Sequence, residues 1–110
     1  MPDPEPLLNA VHRLADRFRS MPQSRLLPRA GEGLALAGRL AEAARKLESP
    51  HERPRTVPFT GAFAVGDQIA VTGNDLAAAI AARPAEDPEA VQALSEALRD
   101  VTATARRVGG

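Results

Sequence analysis

The best candidate for acid–base chemistry in this sequence is a histidine with a carboxylate one helical turn away. His12 and Asp16 are four residues apart, which makes them neighbours on one face of a helix. A carboxylate that orients an imidazole ring can serve a general base. No obvious nucleophile shares that face, and the only other histidine, His51, lies in a proline-rich stretch. We therefore expect His12 to be a half-exposed histidine with a local ion partner.

Other motifs that carry chemistry are also missing from the sequence. The chain has no Cys and no two His residues spaced for a helical metal site. The glycine-rich stretch 31–38 lacks the spacing of a phosphate-binding loop, and no strand is predicted before it. The acids at 86, 87 and 89 lie at a predicted helix start, where the helix dipole stabilises the ionised carboxylate. We therefore predict that the chain is not an enzyme and has no cofactor and no metal site.

Charge is unevenly distributed along a chain whose net charge is +0. Residues 11–30 contain five arginines and one acid, Asp16; the arginines are Arg13, Arg17, Arg19, Arg25 and Arg29. Residues 67–100 are correspondingly acidic. We expect the two regions to neutralise each other in the folded domain; the alternative is that one of them steers an oppositely charged partner.

Hydrophobic periodicity predicts four helical segments. The first follows Asp3-Pro4-Glu5-Pro6, with Asp3 as its N-cap, and ends at Pro22. The second spans 32–48, after a connection over 21–31. The third lies within 60–83, and the fourth starts at Asp87-Pro88-Glu89 and extends to about residue 108.

The third segment also contains a hairpin signal, the dipeptide Gly66-Asp67. A two-residue loop there would place Ile69 and Val71 on the opposite sheet face from their partners. A helix instead places a row of apolar or small residues on one face, with only Phe63 and Val71 as misfits; the row is Ala62, Val65, Ile69, Thr72, Gly73, Leu76 and Ile80. We predict a helix and retain the hairpin near 60–72 as an alternative α+β arrangement.

The fold class that follows is all-α, a small antiparallel bundle of about four helices. Residues 1–110 are expected to form one helical domain, because half of this chain is too small to bury a core alone. A proline-rich connection at 49–58 would join the two helical halves.

The apolar composition suggests a chain that gains stability from a partner. Of the 110 residues, 22 are Ala and only 12 are Leu, so large side chains for a core are scarce. The fourth segment carries a heptad seam that could pack against another helix. We predict a non-catalytic helical interaction or regulatory protein, acting as a homodimer or as an accessory subunit. Its predicted partner-binding residues are Val91, Leu94, Leu98, Val101, Arg13 and Arg17.

The alternative function is a small nucleic-acid-binding regulator that uses the arginine-rich stretch 13–29. Its affinity for nucleic acid would fall steeply with added salt, whereas helix packing would be almost insensitive to salt.

No apolar stretch reaches the length of a membrane span. The 13:1 ratio of Arg to Lys is typical of a high-GC bacterial genome. We therefore expect a cytoplasmic protein without membrane contact.

Overall fold

The computed structural model describes residues 2–109, which contain four α-helices and no strand. The helices are α1 (Glu5–Ser20), α2 (Gln23–Glu48), α3 (Val65–Ala81) and α4 (Pro88–Gly109), with a short 3-10 turn at Ala62–Ala64. The all-α prediction is confirmed. The alternative hairpin near 60–72 is wrong, because these residues form the 3-10 turn and the first half of α3.

The helix directions follow from contacts between distant residues. Arg83, just after α3, donates to the carbonyl of Leu47 near the end of α2 at 3.0 Å. Gly33 of α2 lies against Val65 at the start of α3, so α2 and α3 are parallel. Residues 49–61 have no regular structure and carry the chain back along the bundle between these two helices. In contrast, α4 runs antiparallel to α2.

The apolar row predicted for the third segment faces the core. Val65, Ile69, Leu76 and Ile80 are fully buried. Phe63 and Val71, the two misfits of that row, are 70% and 58% exposed. Helical periodicity therefore gave the correct register for α3, although its glycines disfavour a helix.

The start of α2 differs from the sequence prediction. This helix begins at Gln23 and not near residue 32, so the predicted connection over 21–31 shrinks to Met21 and Pro22. Pro28 lies inside the helix. Leu26 and Ala30 are buried on the same side as the rest of α2, and their packing offsets the disruption that a proline causes.

The predicted helix caps are correct at α4 and partly wrong at α1. The Asp87 carboxylate accepts a hydrogen bond from the Ala90 N–H at 3.1 Å, as an N-cap residue does. At α1 the capping position is taken by Pro4, and Asp3 contributes from one residue earlier by accepting from the Glu5 N–H at 3.0 Å.

The glycines of α3 allow a close approach to α1. A Cβ atom on Gly73 would lie 2.4 Å from a methyl group of Val11, and one on Gly66 would lie 2.9 Å from the Ala15 carbonyl oxygen. A Cβ atom does not fit at such distances, so the close packing of α1 on α3 requires glycine at these two positions.

We expect Gly73→Ala to lower the free energy of unfolding by about 1–2 kcal/mol, because overpacking exceeds the gain in helix propensity. Gly38→Ala is the matched control, since its Cβ would meet no atom within 4 Å inside α2. It should raise the free energy of unfolding by about 0.5–1 kcal/mol. Urea denaturation followed by circular dichroism measures both changes. If both substitutions raise the free energy of unfolding, α1 and α3 are farther apart than the structure places them.

Candidate functional site

A groove of about 450 Å³ lies between the C-terminal half of α2 and the N-terminal half of α4. We call it the α2–α4 groove. The residues that line it from α2 are Arg39, Leu40, Glu42, Ala43, Lys46 and Leu47. Those that line it from α4 are Glu89, Gln92, Ala93, Glu96, Ala97 and Asp100.

Small side chains on both helices create the groove. Ala43 on α2 and Ala93 and Ala97 on α4 stand where larger residues would fill the space between the helices. Leu40 and Leu47 lie beneath them and belong to the buried core. Ala43 and Ala93 are partly buried, so an apolar floor remains accessible from outside.

Arginine contacts connect α2 with α4 near both ends of the groove. At one end Arg39 makes a bidentate pair with Asp100, with Nε–Oδ2 and Nη2–Oδ1 distances of 2.7 and 2.8 Å. These hydrogen bonds raise the pKa of the Arg39 guanidinium above its ordinary value. At the other end Arg83 joins the Leu47 carbonyl to the Asp87 carboxylate, whose oxygen lies 2.9 Å from Nε. Contacts therefore join α2 to α4 on both sides of the groove.

The rim of the groove is acidic. Four acidic and two basic side chains line it, which gives a formal charge of −2. Arg39 and Asp100 neutralise each other, and Glu42 is paired with Arg45 on the outer side of α2. The remaining acids are both exposed on α4: Glu89, whose carboxylate lies 3.8 Å from the Arg83 guanidinium, and Glu96, which accepts a hydrogen bond from Gln92.

The predicted partner-binding seam of α4 turns mostly towards its own bundle. Val101 is 1% exposed and belongs to the core. Leu94 and Leu98 are partly buried and pack against that core. Only Val91, near the start of α4, is substantially exposed, at 48%. The α2–α4 groove is lined by different residues of the same helix, which were not predicted from the sequence.

Of the two arginines in the predicted site, Arg17 contacts α4 and Arg13 is exposed on α1. Arg17 Nη1 donates to the Ala105 carbonyl at 3.4 Å. Arg29, from the same stretch, donates through Nε to the Val108 carbonyl at 2.9 Å. Arg29 therefore satisfies a backbone carbonyl in the last turn of α4, where carbonyls have no partner within the helix, and Arg17 adds a longer contact to a carbonyl three residues earlier.

The arginine stretch is only partly neutralised by the acidic region of the sequence. Arg19 lies between Asp16 and Asp67, at 3.1 and 2.8 Å, and both partners raise its pKa. Within residues 2–109 this is the one ion pair that joins stretch 11–30 to the region 67–100. The remaining acids of α4 stay near the groove, at the opposite end of α4 from Arg17 and Arg29.

His12 does not pair with Asp16 as predicted. Its Nε2 atom lies 2.9 Å from Oδ1 of Asn74 on α3, and Asp16 instead contacts Arg19. The reason is that α3 lies close beside this face of α1 and supplies Asn74 to His12, while Asp16 finds a basic partner on α1 itself. Across residues 2–109 no three His, Asp or Glu residues are grouped to hold a metal ion.

No helix in residues 2–109 combines the length and the apolar character that crossing a membrane requires. Comparison of the chain with protein-family models, curated proteins and solved structures yields no match.

The sequence does carry a signal for the groove. Alanines 93 and 97 lie four residues apart on the fourth predicted helix, and Ala43 lies on the second. Such small residues leave unfilled space only where two helices face each other, so the groove can be predicted from them only if the helix pairing is known. The pairing of α2 with α4 depends on long-range contacts that no local pattern specifies.

Proposed function

We propose that this chain is a non-catalytic protein–protein interaction module that binds a helix of another protein in the α2–α4 groove. The observation that carries the proposal is the combination of an accessible apolar floor with a charged rim, between two helices pinned at both ends. Helix-in-groove recognition uses this combination, because the floor provides affinity and the rim provides orientation. Such a module would serve as a regulatory protein or as an accessory subunit.

The pinned ends support binding with little rearrangement. The Arg39–Asp100 pair and the Arg83 contacts hold α2 and α4 at a fixed separation. A groove that already exists in the free protein costs less ordering on binding than one that must open. The side chains of the floor are aliphatic, which suits packing against a helix.

The partner in this proposal is a different protein, although a homodimer is a second possibility from the apolar composition. An isologous dimer in which the two α4 helices face each other would place Glu89 and Glu96 of both copies near each other, which like-charge repulsion disfavours. The setting we propose is the bacterial cytoplasm.

Filling the groove is the direct test of this function. Ala93→Trp would place a large side chain over the floor, and we expect it to abolish partner capture at unchanged fold. Ala78→Trp is the matched control, because Ala78 is exposed on α3, outside the residues that line the groove. The measurement is in-cell crosslinking in the source organism, with quantitative mass spectrometry of proteins captured by each variant.

The proposal requires at least one protein that the parent and Ala78→Trp capture and Ala93→Trp does not. Circular dichroism must show the same helix content for all three chains. If the captured proteins are the same for all three, the groove is not the interaction surface.

The arginine stretch 13–29 carries less support as a nucleic-acid site. Arg17 and Arg29 are used on the carbonyls of α4, and Arg19 is paired with two carboxylates. These contacts within the chain leave fewer guanidinium groups for phosphate contacts.

A further inference from the structure

We propose that the ligand of the α2–α4 groove is an amphipathic helix with a narrow aliphatic face and Lys or Arg residues along the flank that faces α4. This inference rests on the proposed function and adds the chemistry of the partner. It is carried by the spacing, the charge and the length of the groove.

The residues that line the groove repeat with the spacing of helix packing. On α4 they include Glu89, Ala93, Glu96 and Asp100, at intervals of four, three and four residues. On α2 the positions 39, 43 and 46 repeat in the same way. Two neighbouring helices that both present such rows form the holes that accept knobs from a third helix.

The charge on the rim selects a basic flank. Glu89 and Glu96 are seven residues apart, two helical turns, and therefore lie on one stripe of α4. The Glu96 carboxylate accepts from Gln92 at 2.8 Å, and Glu89 lies 3.8 Å from Arg83, so both carboxylates keep free acceptor sites. A partner helix with Lys or Arg two turns apart would meet both.

The rim on the α2 side carries an exposed positive charge, and this difference from the α4 side fixes the orientation of the partner helix. Lys46 is the exposed cation on the α2 side, because Arg39 is occupied by Asp100. A basic side chain is therefore favoured next to α4 and disfavoured next to Lys46. The asymmetry gives the groove a preference for one direction of the partner helix.

The floor limits the size of the apolar face. From Glu89 to Asp100 the groove extends about 16 Å along α4, which is about three turns of a bound helix. A volume of about 450 Å³ over that length accepts a few aliphatic side chains. Leu and Ala in one row fit this description better than a row of aromatic residues.

Two synthetic peptides test the inference with the full chain. Each has about 18 residues, so that helix formation is feasible, and each carries the same row of Leu and Ala. One has Lys along one flank, and the other has Glu at the same positions. Fluorescence anisotropy measures their affinity for the parent, for Ala93→Trp, for Glu89→Gln/Glu96→Gln and for Glu5→Gln/Glu48→Gln, whose changes lie outside the groove lining.

We expect the Lys peptide to bind the parent at least fivefold more tightly than the Glu peptide. The double change in the groove should weaken its binding about three- to tenfold, as expected for two exposed ion pairs, and the control double change should have less than a twofold effect. Ala93→Trp should remove binding.

The other outcomes separate the two proposals. Equal binding of both peptides, lost in Ala93→Trp, would overturn the basic-flank inference and retain a helix-binding groove. If neither peptide binds but capture of a cellular partner depends on Ala93, the basic-flank inference is also overturned and the groove is retained as an interaction surface. A dimer by light scattering that Ala93→Trp dissociates would assign the groove to a second copy and overturn the inference. If no peptide binds and no cellular partner depends on Ala93, both proposals are wrong.

Discussion

Phe18→Ala should lower the free energy of unfolding by about 3–5 kcal/mol, the usual cost of deleting a buried aromatic ring. The ring is 2% exposed and fills the point where three helices meet. The ring lies so close to Gly33 of α2 that a Cβ there would be 2.8 Å from its edge, and a Cβ on Gly66 of α3 would lie 3.4 Å from the Cβ of Phe18. Removing it leaves a cavity that α1, α2 and α3 cannot close independently.

Phe63→Ala is the internal control for this prediction. It removes the same atoms from a ring that is 70% exposed, and we expect a change within about 0.5 kcal/mol. Urea denaturation followed by circular dichroism compares the two variants. Phe18→Leu keeps the comparison measurable if the alanine variant does not fold, because it removes less of the packing. Similar losses for Phe18 and Phe63 would mean that Phe18 is not the junction of the core.

The contrast between these two phenylalanines was available from the sequence. Phe18 lies on the apolar row of α1, and Phe63 falls off the row that defines α3. Periodicity identifies which face of a helix is buried, because burial of that face is what stabilises the helix in water. For α3 this signal was strong enough to outweigh two glycines.

Periodicity does not specify which helices become neighbours. The heptad seam of α4 was correctly located as an apolar surface, yet the structure places most of it against this chain's own core. Likewise, the pairing of His12 with Asn74, 62 residues away, replaced the local partner Asp16. In both cases a long-range contact provides a partner that a local pattern cannot show.

The candidate site was the least predictable part, for the same physical reason. A groove is space left unfilled, and it exists only where two surfaces with small residues face each other. Ala43 and Ala93 are separated by 50 residues of sequence, and α2 and α4 meet only because residues 49–61 return the chain to the far end of the bundle. The acidic stretch could be recognised, but not the floor that it borders.

The start of α2 was predicted nine residues too late, and Pro28 lies in the part of the helix that the prediction left out. A proline in a helix interior costs about 3 kcal/mol relative to alanine in host systems. At Pro28 the missing N–H leaves the carbonyl of Ser24 without its intrahelical donor. Both residues are exposed, so water can reach that carbonyl, and the helix tolerates the proline.

Pro28→Ala should therefore raise the free energy of unfolding by about 2 kcal/mol, since the restored helix bond is partly offset by a more flexible unfolded chain. Pro88→Ala is the matched control. Pro88 is the first residue of α4, where an N–H has no intrahelical acceptor, so its replacement should change the free energy by no more than about 0.5 kcal/mol. Thermal unfolding at matched concentration ranks the two variants against the parent. If Pro28→Ala is neutral or destabilising, residues 23–31 are not helical in solution, and α2 starts near residue 32 as its sequence alone indicates.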